Sequence, residues 1–270
     1  MGHGTGQKPK TGFSARLEGW KLAEILKFEP GNYSFIHVPG GPFSAGVAAN
    51  PGFALHRARF DRPLPMAEGF SRIKAHLEHV GRPITALAAC ELRSPAPMSP
   101  PEFAAFNVEY LKTLHAWGCK RGDINPLARS NIAPITEVPK GATFFAFTYT
   151  VAEASANGDF LISGKPEFRD GVSGPERTFG GRDTSLTGIA AKAEFVMEAM
   201  RERVTALSCD WKGVTAAQIY SVHDLRPVLE GSFAKAGISQ IGVSCFPGWP
   251  PVTDADIEFD VRRVRTELVI

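Results

Sequence analysis

The residues best placed to hold and protonate a small acid are an arginine, two glutamates and a set of short polar side chains. Arg129 opens Arg129-Ser130-Asn131 behind a proline-containing loop. Its guanidinium offers two parallel donors that match a planar carboxylate; an interdomain salt bridge is the competing use. Ser130 and Asn107 are supporting hydrogen-bonding residues. Asn107 sits in an apolar helical run, where a bond from its side chain to backbone serves equally well. Glu91 ends the apolar run ITALAAC just before a Pro-rich loop, so it reads either as an acid/base or as a structural partner of Arg93. Arg57, Arg59 and Arg93 gather near strand ends of the first half, where a dicarboxylate would use more than one of them; ordinary surface or interface arginines are the alternative. Glu258, in DADIEFD, lies in an acidic strand run that reads by itself as a solvated face.

Other chemistries lack their residues. The four cysteines Cys90, Cys119, Cys209 and Cys245 form no CxxC, and Cys90 reads as buried packing with no histidine beside it in sequence. His76 and His79 read as a solvated helix face, and no HExxH occurs. We therefore expect neither a metal nor a cofactor. With 43% hydrophobic residues in 270 the chain is too apolar for disorder, and no run reaches a transmembrane length. Its start has no apolar signal core, which predicts a cytoplasmic protein. The net charge of +2 divides into +6 over residues 1–150 and −4 over 151–270. The basic half has scattered arginines without interleaved aromatics, which argues against nucleic acid and for local pockets that take a small anion.

Elements that would position these groups follow from periodicity. After a polar leader, AEILKF suggests a short helical arm within residues 1–30. Residues 53–60 alternate as a strand, Pro65 opens a helix to Val80, 84–92 is a buried strand, and a helix runs from Glu102 to Trp117. Residues 129–135 and 143–150 read as a strand pair around the turn at Pro139–Gly141. The order then returns: a strand at 160–166, and a helix at 186–204 with Leu186, Ile189, Ala193, Met197 and Met200 on one face. A strand at 214–222, a short helix at 227–236, and closing strands in IGVSCF and IEFDVRRVRTELV complete it. GRPITALAACE and KGVTAAQIYSV even look alike. This predicts an α+β chain of two tandem domains, 31–152 and 153–270, each a mixed sheet with two helices on one face.

Four pieces in order, GPFSAGV at 41–47, the 53–60 strand, the helix with FNVEY, and ARSNIAPITEVPKG at 128–141, resemble the Rid superfamily of reactive-intermediate deaminases. LISGKPE and DADIEF resemble its Ser-Gly strand and its final acidic strand in the second half. The resemblance implies chorismate-mutase-like, Rid-like domains. It further implies that Arg129 binds a substrate carboxylate, that Glu258 is the acid/base, that Ser163 and Gly164 offer hydroxyl and backbone donors, and that Asn131 binds substrate oxygen or water. Each half departs from the pattern. The first has His56–Arg57 for Ser-Gly and Phe145 near the glutamate position, and the second lacks the arginine.

The two-domain length and the ELRSP segment are similar to the 2-aminomuconate deaminases, including the 5-chloro type. This implies cofactor-independent hydrolytic deamination of a small enamino or imino acid. Glu258 and Glu91 are the catalytic candidates. Arg129, Ser130, Asn131, Asn107, Ser163, Gly164, Arg93 and Arg59 are the substrate-binding ones. A general 2-iminoacid deaminase and a non-catalytic ligand-binding regulator remain alternatives. Family members are typically trimers with sites between subunits, which implies a homotrimer with a pseudo-sixfold ring of domains.

Overall fold

The computed structural model describes residues 24–270. Among them the twelve strands form one sheet, ordered β1-β2-β3-β8-β11-β9-β10-β6-β5-β7-β4-β12. The first half contributes β4 (Phe53–Pro65), α1 (Met66–His79), β5 (Leu87–Arg93), α2 (Pro100–Ala116), β6 (Ala128–Pro134) and β7 (Thr143–Ala152). The second contributes β8 (Phe160–Pro166), α3 (Leu186–Ala206), β9 (Ala216–Ser221), α4 (Arg226–Val228, continued by a π-turn Leu229–Phe233), β10 (Val243–Trp249) and β11 (Ile257–Arg263). The pairing repeats as well as the order. β5 lies parallel to β6 and antiparallel to β7, and β9 lies parallel to β10 and antiparallel to β11. A turn of 3-10 helix precedes each of β5 and β9, in the two segments that look alike in sequence.

Several expectations are corrected. AEILKF yields β1 (Ile25–Phe28), paired with β2 (Tyr33–Ile36), because Phe28 and Phe35 pack in an apolar cluster that joins both halves. The remainder of the expected N-terminal arm, residues 1–23, lies outside the described residues. β6 and β7 are not partners: the wholly buried β5 lies between them. The final run breaks into β11 and β12 (Thr266–Val269). Leu186 is exposed, so the packing stripe of α3 starts at Ile189.

Hydrogen bonding does not stop at residue 152. β3 (Gly46–Ala49) pairs with β8 of the second half, whereas the C-terminal β12 pairs with β4 of the first. β10 meets β6 antiparallel through Gly248 and Trp249, which makes the sheet continuous. One apolar cluster lies under α1 and α2, another under α3 and α4, and a third joins the N-terminal strands to both halves. Burial at about 25 cal/mol per Å² of apolar area stabilises all three and ties the halves together.

Candidate active site

Where β6 of the first half approaches β8 of the second, a cavity of about 1060 Å³ opens, and Arg129, Asn131, Gly164 and Glu258 all line it. Arg129 and Asn131 share this side of β6 by the two-residue alternation of a strand. Ser130, one residue out of phase, is buried but does not line the cavity.

Arg129 is 2% exposed, with Phe43, Phe103, Phe106 and Tyr110 around its guanidinium at 4.4 to 5.6 Å. Its Nη1 donates to Asn107 Oδ1 at 2.6 Å, and the Asn107 amide donates to the Phe103 carbonyl at 2.6 Å. Asn107 therefore makes the local helix bond and positions the arginine as well. Capping fixes the start of that helix: Ser99 and Glu102 satisfy each other's backbone groups in a capping box. Aromatic faces with one polar tether hold a guanidinium in a single orientation and leave its charge for an anion.

Glu258 is 3% exposed on β11. Burial, reinforced by the charge of Asp260, raises its carboxyl well above the ordinary range, with Arg129 opposing. Both causes favour the protonated carboxyl, the form a proton donor needs. Gly164 makes room for it, since a Cβ there would lie 2.0 Å from Glu258 Oε1. The entry to β11 is anchored by Glu167, which accepts from the backbone N–H of Asp256 and Ile257 at 2.7 and 3.3 Å and pairs with the buried Lys192 at 3.5 Å.

Ser163 acts as a pin between the halves. Its hydroxyl donates to the Ser44 carbonyl at 2.6 Å and accepts from the Arg129 N–H at 3.1 Å, so its expected role as a substrate donor is replaced by backbone bonds. Asn131 donates to Ser94 Oγ and accepts from the Ile132 N–H, both at 2.8 Å, while still facing the cavity.

Glu91, Arg93 and Arg59 are not brought to the cavity. Glu91 is held by Arg57, Nε to Oε1 at 2.6 Å and Nη2 to Oε2 at 2.8 Å, so its structural partner is Arg57 and not Arg93. That fork holds the Glu91 carboxyl down at about 2, which keeps it ionised and unable to deliver a proton at neutral pH. Gln218 links it to Asp260, which also accepts from Tyr220 at 2.5 Å. Arg93 is packed over Phe145 at 3.9 Å and Phe246 at 5.0 Å, and Arg59 bonds the Phe60 carbonyl. Burial pushes the Cys90 thiol up to about 12, consistent with packing.

Sequence reasoning missed Lys165 and Arg203, both buried and both lining the cavity. Arg203 was detectable, because it continues the Ile189–Val196–Met200 stripe of α3 at helical spacing. A charge in phase with a buried face needs a partner. Among the described residues, no group of three histidine, cysteine, aspartate or glutamate side chains could hold a metal ion, and no helix is long and apolar enough to cross a membrane.

A family model and a curated relative agree on a family. A curated 2-amino-5-chloromuconate deaminase of Comamonas testosteroni is 38% identical over 253 residues, covering 92% of this chain and all of that protein. A crystal structure of a chorismatase aligns with 86% of this chain and 74% of its own, at 11% identity and a TM-score of 0.42. The family model described as 2-aminomuconate deaminase CnbZ matches residues 25–268, and the chain belongs to that family.

Proposed function

We propose that this protein hydrolytically deaminates 2-aminomuconate or its 5-chloro derivative, and that the cavity between the two halves is where it does so. The observation that carries this reading is the convergence of Arg129 from one half with Glu258 and Gly164 from the other. The β-α-β-α-β-β order within each half supports treating each as a Rid-like unit. A homotrimer, in which the edge strands β1 and β12 meet other copies, belongs to the same proposal.

Arg129 holds the carboxylate next to the amine. The Glu258 carboxyl delivers its proton to the enamine carbon as the nitrogen lone pair forms the C=N bond, giving the imine. Water adds to the imine carbon, guided by Asn131, and the Glu258 carboxylate relays protons to nitrogen. The C–N bond then breaks. Ammonia leaves and the water oxygen remains as the new carbonyl, so the carboxyl ends protonated as it began.

Purified protein should accelerate both the loss of dienamine absorbance and the release of ammonia from 2-aminomuconate. Arg129→Ala should lower kcat/KM by about 100-fold, as expected for losing a charged, buried contact. Spontaneous rates in the presence of the wild type would overturn the reading, and unchanged kinetics in the variant would move the site elsewhere.

A further inference from the structure

Two cations on the second-half wall of the cavity play no part in the chemistry just described. Lys165 follows Gly164 on β8 and is 4% exposed; Arg203 projects from the buried face of α3 and is 7% exposed. They share one acidic partner. Lys165 Nζ reaches Asp170 Oδ1 at 3.0 Å and the Phe168 carbonyl, while Arg203 Nη2 stands 3.9 Å from Asp170 Oδ2. Asp170 is itself half exposed. The Arg203 Nε is buried without a hydrogen-bond partner, an expensive state for a guanidinium donor. Asp170 is their shared carboxylate and Glu202 also acts on Arg203, yet neither leaves the Arg203 guanidinium fully hydrogen-bonded beside the cavity that both cations line.

Their position relative to the reacting group matters. Glu258 interacts electrostatically with Arg129, with Lys165 and with Arg203, and all four line the one cavity. A planar acid held at Arg129 with its enamine at Glu258 has both further cations in the walls of the same cavity. The half-buried Glu198 and Glu202 of α3 line the same wall and make general anion attraction weak, so an anion must be taken by the specific donors.

We propose that Lys165 and Arg203 form the subsite for the carboxylate distal to the amine, and that this pair makes the enzyme selective for dicarboxylic over monocarboxylic enamines. The inference rests on the cavity being the deamination site. It replaces Arg93 and Arg59, the sequence candidates for a second carboxylate, with residues from the other half.

Equilibrium binding of two unreactive acids separates the claims. Trans,trans-muconate and sorbate share a six-carbon dienoic skeleton and differ in the second carboxylate. The wild type should bind muconate at least tenfold more tightly than sorbate, measured by calorimetry. Arg203→Met and Lys165→Met should each collapse muconate affinity toward that of sorbate, and Arg203→Lys should restore part of the preference. Equal affinities in the wild type overturn the subsite without any variant, as does a preference that survives both methionine substitutions. A muconate preference lost in the variants, with no turnover of 2-aminomuconate by the wild type, would instead sink the deaminase reading and leave the dicarboxylate site standing.

Discussion

Glu258 and Arg129 divide the work because their surroundings differ. The arginine is surrounded by rings and tethered once, whereas the carboxyl is buried beside Asp260, which favours its protonated form. Replacing Glu258 by Gln keeps the shape and a hydrogen-bonding terminus but removes the transferable proton. The expected outcome is a kcat lowered by about 10²–10⁴ with KM little changed. The pH dependence carries the sign. A general acid with a raised pKa loses activity as pH rises through that value, and Glu258→Gln should lack this alkaline limb. Steady-state rates across pH would check it; an alkaline limb that persists in the variant would assign the titration to another group. Gly164→Ala should mimic the loss, because the added methyl would displace the carboxyl it faces.

At the scale of the elements, the legible part of the molecule was the part that local pattern controls. The phase of α1, α3 and the β8 strand follows from apolar spacing, and Arg129 and Glu258 both line the cavity. Partner choice between strands was not legible. β5 separates β6 from β7 because its seven residues are all buried and need a strand on each side, a fact no turn signal near Pro139 conveys. Glu91 was misread for the same reason, since its partner Arg57 lies 34 residues away on β4. That fork makes a stability prediction. Glu91→Ala strips a buried arginine of its main partner and should cost about 3–5 kcal/mol, read by denaturant unfolding. Because the folded carboxyl sits at about 2 and the unfolded one near about 4.3, the stabilisation is complete above the unfolded value and is lost as pH falls toward 2. The variant should therefore show a shallower acid destabilisation between roughly pH 4.5 and 2 than the wild type; equal slopes would remove Glu91 from that role.

For the molecule as a whole, the interleaved termini argue that its two repeats are one cooperative unit. β1 to β3 extend the second-half sheet, β12 extends the first, and the Glu91–Gln218 contact crosses between them. Glu267 on β12 draws the same two halves of the sheet together, accepting from Arg57 of β4 at 3.3 Å and from Arg262 of β11 at 2.8 Å. A cavity whose arginine and carboxyl come from different halves needs that coupling, since an independent hinge would separate Arg129 from Glu258. Calorimetry should therefore show a single unfolding transition for the chain, and resolved transitions for the two halves would contradict it. The Glu267 side chain is 40% exposed, so its ion pairs are screened and Glu267→Ala should cost about 1 kcal/mol. For a chain of this size that corresponds to a Tm lowered by about 2–4 °C. The informative feature is the shape of the variant's transition. If strand pairing of β12 with β4 and of β3 with β8 joins the halves, the peak should move as one; a variant peak that splits would show that the coupling rests on the Glu267 ion pairs instead.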